Sequence, residues 1–132
     1  MTKCFGNDVL SGAPVEVAFA DSILSVEQTA AASDVFLAPA WIDIQVNGFA
    51  GVDYNDPLSS HEEIARSIRQ LFATGVARFY PTVITGTLEG MEGALRNLSR
   101  ARDTIAEGEA MDGFHVEGPH ISAEDGPRGA HP

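Results

Sequence analysis

An imidazole, a carboxylate and a second imidazole stand close together late in the chain. They are His115, Glu117 and His120, in the run Gly113-Phe114-His115-Val116-Glu117-Gly118-Pro119-His120. Histidine and carboxylate are the usual protein ligands of zinc and related divalent ions. Residues two apart on a strand face the same way, so His115 and Glu117 are expected on one face, with Gly118 and Pro119 ending the strand beyond them. Glu117 therefore reads either as a metal ligand or as an ordinary charged strand end. His115, between Phe114 and Val116, reads as a core or supporting histidine, and His120 and His131 as loop histidines. A second polar set, Asp43, Gln45 and Asn47, lies in Trp41-Ile42-Asp43-Ile44-Gln45-Val46-Asn47-Gly48. Amides are poor direct ligands for zinc, so Gln45 and Asn47 suit hydrogen bonding to a substrate or a water, the alternative being a polar layer at strand ends. Asp43, further from the strand's end, reads as structural. Arg128 offers an anion contact, although a lone loop arginine usually makes none. Nucleophile elbow, phosphate-binding loop, dinucleotide fingerprint and paired-cysteine motifs are absent.

The elements that must carry these residues follow from periodicity. Trp41 to Gly48 reads as a strand with Ile42, Ile44 and Val46 on one face and Asp43, Gln45 and Asn47 on the other. Gly48 to Pro57 is a loop. Ser60 and Glu63 form a capping box, Ile64, Ile68, Leu71 and Phe72 recur at helical spacing, and Gly75 closes that helix. Ala77 to Ile84 is the next strand. Thr87 caps a second helix striped by Leu88, Met91, Leu95, Leu98 and Ile105 and ended by Gly108. Met111 to Val116 is the third strand. Strand, helix, strand, helix, strand with short connectors predicts an α/β fold on a parallel sheet with right-handed crossovers. Gln45, Asn47, Thr82, Glu117 and His120 then collect where strands end, the face on which parallel α/β folds bind ligands.

Residues 1–37 differ in character. Val15 to Phe19, Ile23 to Val26 and Asp34 to Leu37 are short apolar runs. Gly6-Asn7-Asp8, Ser11-Gly12-Ala13-Pro14 and Ala20-Asp21-Ser22 are expected to supply the turns. The expectation is a small antiparallel β unit with too little apolar mass to stand alone, followed by a second region over 38–132.

Bulk properties bound the function. The 132 residues carry a formal charge of −11, with 19 acidic against 8 basic side chains, which argues against nucleic acid and anionic membrane as partners. A small anionic ligand stays compatible with that charge. The single cysteine, Cys4, allows no internal disulfide and fits a reducing cytoplasm, and no stretch resembles a signal peptide or a membrane span. Three parallel strands and two helices close no barrel, which takes roughly 250 residues. The expectation is the N-terminal part of a longer protein.

Ala38-Pro39-Ala40-Trp41-Ile42-Asp43 resembles the first barrel strand of the amidohydrolase superfamily, usually A-P-G-F-I-D followed by H-x-H. Here Gln45 and Asn47 replace the histidine pair. That Q-x-N-G variant, with Tyr80-Pro81-Thr82-Val83-Ile84-Thr85, Phe114 to Pro119 and Arg128-Gly129-Ala130-His131-Pro132, resembles the family that deacetylates N-acetylglucosamine 6-phosphate. The resemblance implies the opening strands of a TIM-like (β/α)8 barrel preceded by part of a small β-sandwich domain. It implies one divalent ion, zinc or iron, held by Glu117 and by histidines beyond Pro132, with a general-base aspartate also beyond it. His131, Gln45, Asn47 and Arg128 are the implied substrate contacts, and the implied assembly is a cytoplasmic homodimer. On this reading the 132 residues alone are inactive. Two alternatives stay open: another amidohydrolase acting on a different N-acyl amino sugar or cyclic amide, and a non-catalytic metal- or anion-binding module using His115, Glu117, His120 and His131.

Overall fold

The structure, a computed structural model, describes residues 1–132 apart from Ala32, Ala130 and Pro132. Two compact units divide the chain, Met1–Pro39 and Ala40–Pro132. The first is a four-stranded sheet of β1 (Thr2–Asp8), β2 (Pro14–Phe19), β3 (Ile23–Gln28) and β4 (Phe36–Leu37), in the order β3-β2-β1-β4. The first three strands pair antiparallel, but β4 runs parallel to β1, so the unit is not purely antiparallel.

Gly6, Asn7 and Asp8 form no turn, contrary to the sequence expectation; they are the end of β1. Glycine serves there for close approach. A Cβ at Gly6 would lie 2.7 Å from Leu37 Cγ and 2.9 Å from the Val35 carbonyl oxygen, so a side chain would push the crossing segment away. The reversal comes after it, where the Asp8 carboxylate accepts the Ser11 amide at 3.0 Å and the Asp8 carbonyl accepts Gly12 N–H at 2.8 Å.

The second unit runs β5 (Trp41–Val46), β6 (Gly48–Phe49), β7 (Val52–Asp53), α1 (His61–Phe72), β8 (Val76–Ile84), α2 (Leu88–Thr104), a 3-10 turn (Ala106–Ala110) and β9 (His115–Glu117). The sheet order is β5-β8-β9, with both pairs parallel, and β6 and β7 make a small hairpin inside the stretch expected to be loop. The capping box forms as its spacing requires: Ser60 Oγ accepts Glu63 N–H while the Glu63 carboxylate accepts Ser60 N–H. Ile64, Ile68 and Leu71 are buried, each worth about 1.5–3 kcal/mol of apolar transfer, whereas Phe72 is 41% exposed and lies outside the buried cluster. Thr87 caps α2, whose Met91, Ala94, Leu98 and Ala101 are buried; Leu88, expected in that stripe, is exposed in the first turn.

Both helices cover one side of the sheet, on Phe79 and Val83 of β8 and Met111. The third strand is shorter than its apolar run. Met111 makes a single bridge to Phe79, and regular pairing begins only at His115. Among the described residues no helix is long and apolar enough to cross a membrane.

Candidate functional site

The site begins with an irregularity in β5. Asp43 pairs with Phe79 and Val46 with Pro81, so three steps along β5 match two along β8. That is a β-bulge, and it changes which way every later residue points. Without it, Ile42, Ile44 and Val46 would share a face, as strict alternation predicts. With it, Val46 turns to the helix side and is 6% exposed, while Ile42 and Ile44 stay on the opposite, open side at 61% and 70%. Gln45 is separated from Asp43 in the same way and joins the open side. Asp43 stays behind as local support, its Oδ1 accepting Gln45 N–H at 3.1 Å.

Across the sheet, β9 places His115 opposite Thr82 and Glu117 opposite Ile84. Glu117 is where the open-side residues converge. Gln45 Nε2 donates to one carboxylate oxygen at 2.8 Å, and His131 Nε2 donates to the other at 3.0 Å. A carboxylate only accepts, so His131 carries its proton on Nε2. The His131 side chain is 14% exposed and that of Glu117 29%, so the pair is sheltered but reachable. His131 Nδ1 is buried with no hydrogen-bond partner among the described residues.

His115, expected on one face with Glu117 and read as a core or supporting histidine, lies on the same strand, and its Nδ1 is 3.0 Å from the Ile44 carbonyl, which the bulge has taken out of the ladder. A carbonyl cannot donate, so Nδ1 bears the proton. His115 is a brace on the bulge. His120 lies on the exposed loop beyond Pro119. Arg128 donates to Asp125 at 2.9 Å within its own loop, and Asn47 is exposed at the strand end, where its carbonyl accepts Tyr54 N–H at 3.0 Å. Ala130 and Pro132, which flank His131 in the resemblance motif, lie outside the described residues.

Three residues hold the strand ends together. Thr82, fully buried, accepts Val46 N–H at 3.0 Å and donates to the Tyr80 carbonyl at 3.1 Å, tying the strand after the bulge to β8. Asn55 has no place in the expected site. Its Nδ2 donates to the carbonyls of Asn47 and Thr82, both at 3.3 Å, and its Oδ1 accepts Ile84 N–H at 2.8 Å. One asparagine in a stretch of Gly, Asp and Asn is indistinguishable from turn chemistry by sequence. Thr85 Oγ1 donates to the Glu117 carbonyl at 3.1 Å, fixing the backbone that bears the carboxylate.

A divalent ion can be tested against this donor set. Each Glu117 oxygen accepts one N–H and keeps a further lone pair, so the carboxylate fits as one ligand. Among the described residues no three His, Cys, Asp or Glu side chains come together as a metal site. His115, Glu117, His120 and His131 are not gathered into such a site: His115 bonds the Ile44 carbonyl and His120 lies on the exposed loop. The arrangement presents one carboxylate with lone pairs to spare, held by Gln45 and His131.

Comparison with known proteins bears on the family of this chain. No family model matches the chain. An N-acetylglucosamine-6-phosphate deacetylase from Caenorhabditis elegans is 39% identical over 102 residues, covering 74% of this chain and 24% of the relative. An N-acetylgalactosamine-6-phosphate deacetylase from Escherichia coli O157:H7 is 30% identical over 96 residues, covering 73% of this chain and 24% of the relative. Among solved structures, the N-acetylglucosamine-6-phosphate deacetylase of Thermotoga maritima superposes with a TM-score of 0.66 at 27% identity, over 86% of this chain and 30% of that one. The chain thus spans about a quarter of the length of the curated relatives it matches.

Proposed function

We propose, from the premise that this chain belongs to the N-acetylglucosamine-6-phosphate deacetylase family, that it forms the Glu117 wall of a metal-dependent deacetylase site. Its substrate would be N-acetylglucosamine 6-phosphate, and the products glucosamine 6-phosphate and acetate. The observation that carries this reading is the Glu117 carboxylate held by Gln45 and His131 at the ends of parallel strands. The three strands and two helices of residues 38–132 are read as the opening of a TIM-like barrel, and residues 1–37 as part of a β-sandwich domain.

Glu117 would hold the ion. A bound divalent ion would supply a lowered water pKa and polarisation of the acetyl carbonyl. This chain's own residues do the positioning. Gln45 and His131 fix the two carboxylate oxygens, and His131 and Asn47 line the approach from the open side. Arg128 lies on the same loop as His131 and would turn from Asp125 to an anionic phosphate. Because a catalytic ion takes about three protein ligands and this chain brings Glu117, we expect the 132 residues by themselves to release no acetate.

The test is a chimera in which this chain replaces the superposed part of the Thermotoga maritima deacetylase. Acetate release from N-acetylglucosamine 6-phosphate, lost in Glu117→Gln, is the expected result. A folded, metal-loaded chimera without that activity rejects the reading. A second substrate comes from the galactosamine relative. Assaying both 6-phosphates, and both sugars without phosphate, decides which hexosamine the open side accepts.

A further inference from the structure

We infer that Asn55 is a positioning residue, setting the gap across which Gln45 reaches Glu117. Gln45 and Glu117 sit on the two outer strands of the sheet, with β8 between them, so ladder bonds do not hold them together. The β5–β8 register ends at Val46 and Pro81, just where the bulge has loosened it. Beyond that point the spacing of the strand ends rests on side chains.

Asn55 spans the gap with its whole carboxamide. Its Nδ2 reaches the Asn47 carbonyl, two residues after Gln45, and the Thr82 carbonyl on β8. Its Oδ1 takes the N–H of Ile84, the residue in register with Glu117. One side chain thus contacts the strand end that bears Gln45 and the backbone that sits beside Glu117. It is itself well anchored. The preceding Tyr54 is 1% exposed, packs at a tilt against Phe79 with ring centroids 6.0 Å apart and bonds Ser67 of α1 at 2.8 Å. Asn55 N–H donates to Asp53 Oδ1 at 2.8 Å. Helix α1 therefore fixes Asn55, and Asn55 fixes the two strand ends. A small side-chain displacement at such a site is felt at the group it supports.

The functional meaning of this inference rests on the reading of Glu117 as the site's carboxylate; the test reads the contact itself, so either can fail without the other. Asn55→Asp keeps the size and the acceptor for Ile84 N–H, but loses both donors and sets a charge against two carbonyls. Asn55→Ser removes the span without adding charge. In each variant, hydrogen exchange of the Gln45 side-chain amide is followed by NMR, with the backbone amides of α1 and α2 as the reference for global folding. Exchange at Gln45 is expected to rise about ten-fold, the equivalent of one hydrogen bond to a charged group, while the helical amides keep their protection. Unchanged Gln45 exchange in a folded variant overturns the inference. So does global unfolding of both variants, which would make Asn55 a general stability residue; if only one folds, that one decides.

Discussion

Gln45 and Glu117, 72 positions apart in sequence, meet at 2.8 Å over the end of the strand that separates them. The bulge in β5 makes this possible, because it turns Gln45 to the open side. Gln45→Leu keeps the bulk, removes the donor and is expected to cost about 1 kcal/mol. Gln45→Glu places like charges together and is expected to cost more. The excess should shrink in salt on the order of 1 M, where the Debye length is roughly 3 Å. Urea midpoints of the two variants at low and high salt measure it, and equal midpoints at both would sink the argument.

Thr82 offers a sharper energetic test, because it is fully buried and its hydroxyl is committed twice. Thr82→Val is nearly isosteric but leaves Val46 N–H buried without an acceptor, at a cost of about 1–3 kcal/mol. Thr82→Ser keeps both bonds and loses one methyl, costing about 0.8 kcal/mol. Equilibrium urea unfolding should therefore rank Val below Ser. The reverse order would mean that packing of the methyl, and not the hydrogen bonds, holds the strand after the bulge.

What the sequence disclosed divides along range. The capping box of Ser60 and Glu63 was legible because both partners lie within one turn and the motif closes on itself. Glu117 and Gln45 stood out as polar residues at strand ends and His131 as a loop histidine singled out by resemblance, but their convergence was not legible. It depends on a bulge that alternation cannot reveal. The same bulge explains why Ile42 and Ile44 are exposed while Val46 is buried. Gly6 looked like a turn because glycine's other use, admitting a neighbouring segment, depends on residues 35–37 folding back. Asn55 was invisible for the same reason: its side-chain partners lie on β8 and just beyond the end of β5.

The capping box also makes a pH prediction. Hydrogen bonds from the Ser60 hydroxyl, and then from its backbone N–H, hold the Glu63 carboxyl below its usual value. A depressed folded-state value means that the stabilising contribution is present above the ordinary glutamate range. It is lost as pH falls through the lowered value. Ser60→Ala removes the larger cause, so its stability should depend less steeply on pH in the acid range than that of the wild-type chain. Urea midpoints taken between neutral and acid pH give the two slopes. Parallel slopes would show that Ser60 does not tune Glu63.

Gly118 is the residue on which the direction of the chain after Glu117 depends. Its φ is +95°, a region that side chains with a Cβ rarely enter. Space is short as well: a Cβ there would overlap the Thr85 hydroxyl and lie 3.1 Å from Thr85 Cβ. That hydroxyl is already engaged, donating to the Glu117 carbonyl. Gly118→Ala therefore combines backbone strain with a collision against the group that holds the carboxylate's own backbone, and should cost about 2–4 kcal/mol. The two causes separate in a double variant. Thr85→Ala removes the overlapping hydroxyl, so Gly118→Ala made in that background should recover the steric part and keep the conformational part. A cost unchanged by Thr85→Ala would place all of the penalty in the backbone. A cost near zero in the single variant would mean that the turn after Glu117 can relax, and that Gly118 does not fix the path by which His131 returns to the carboxylate.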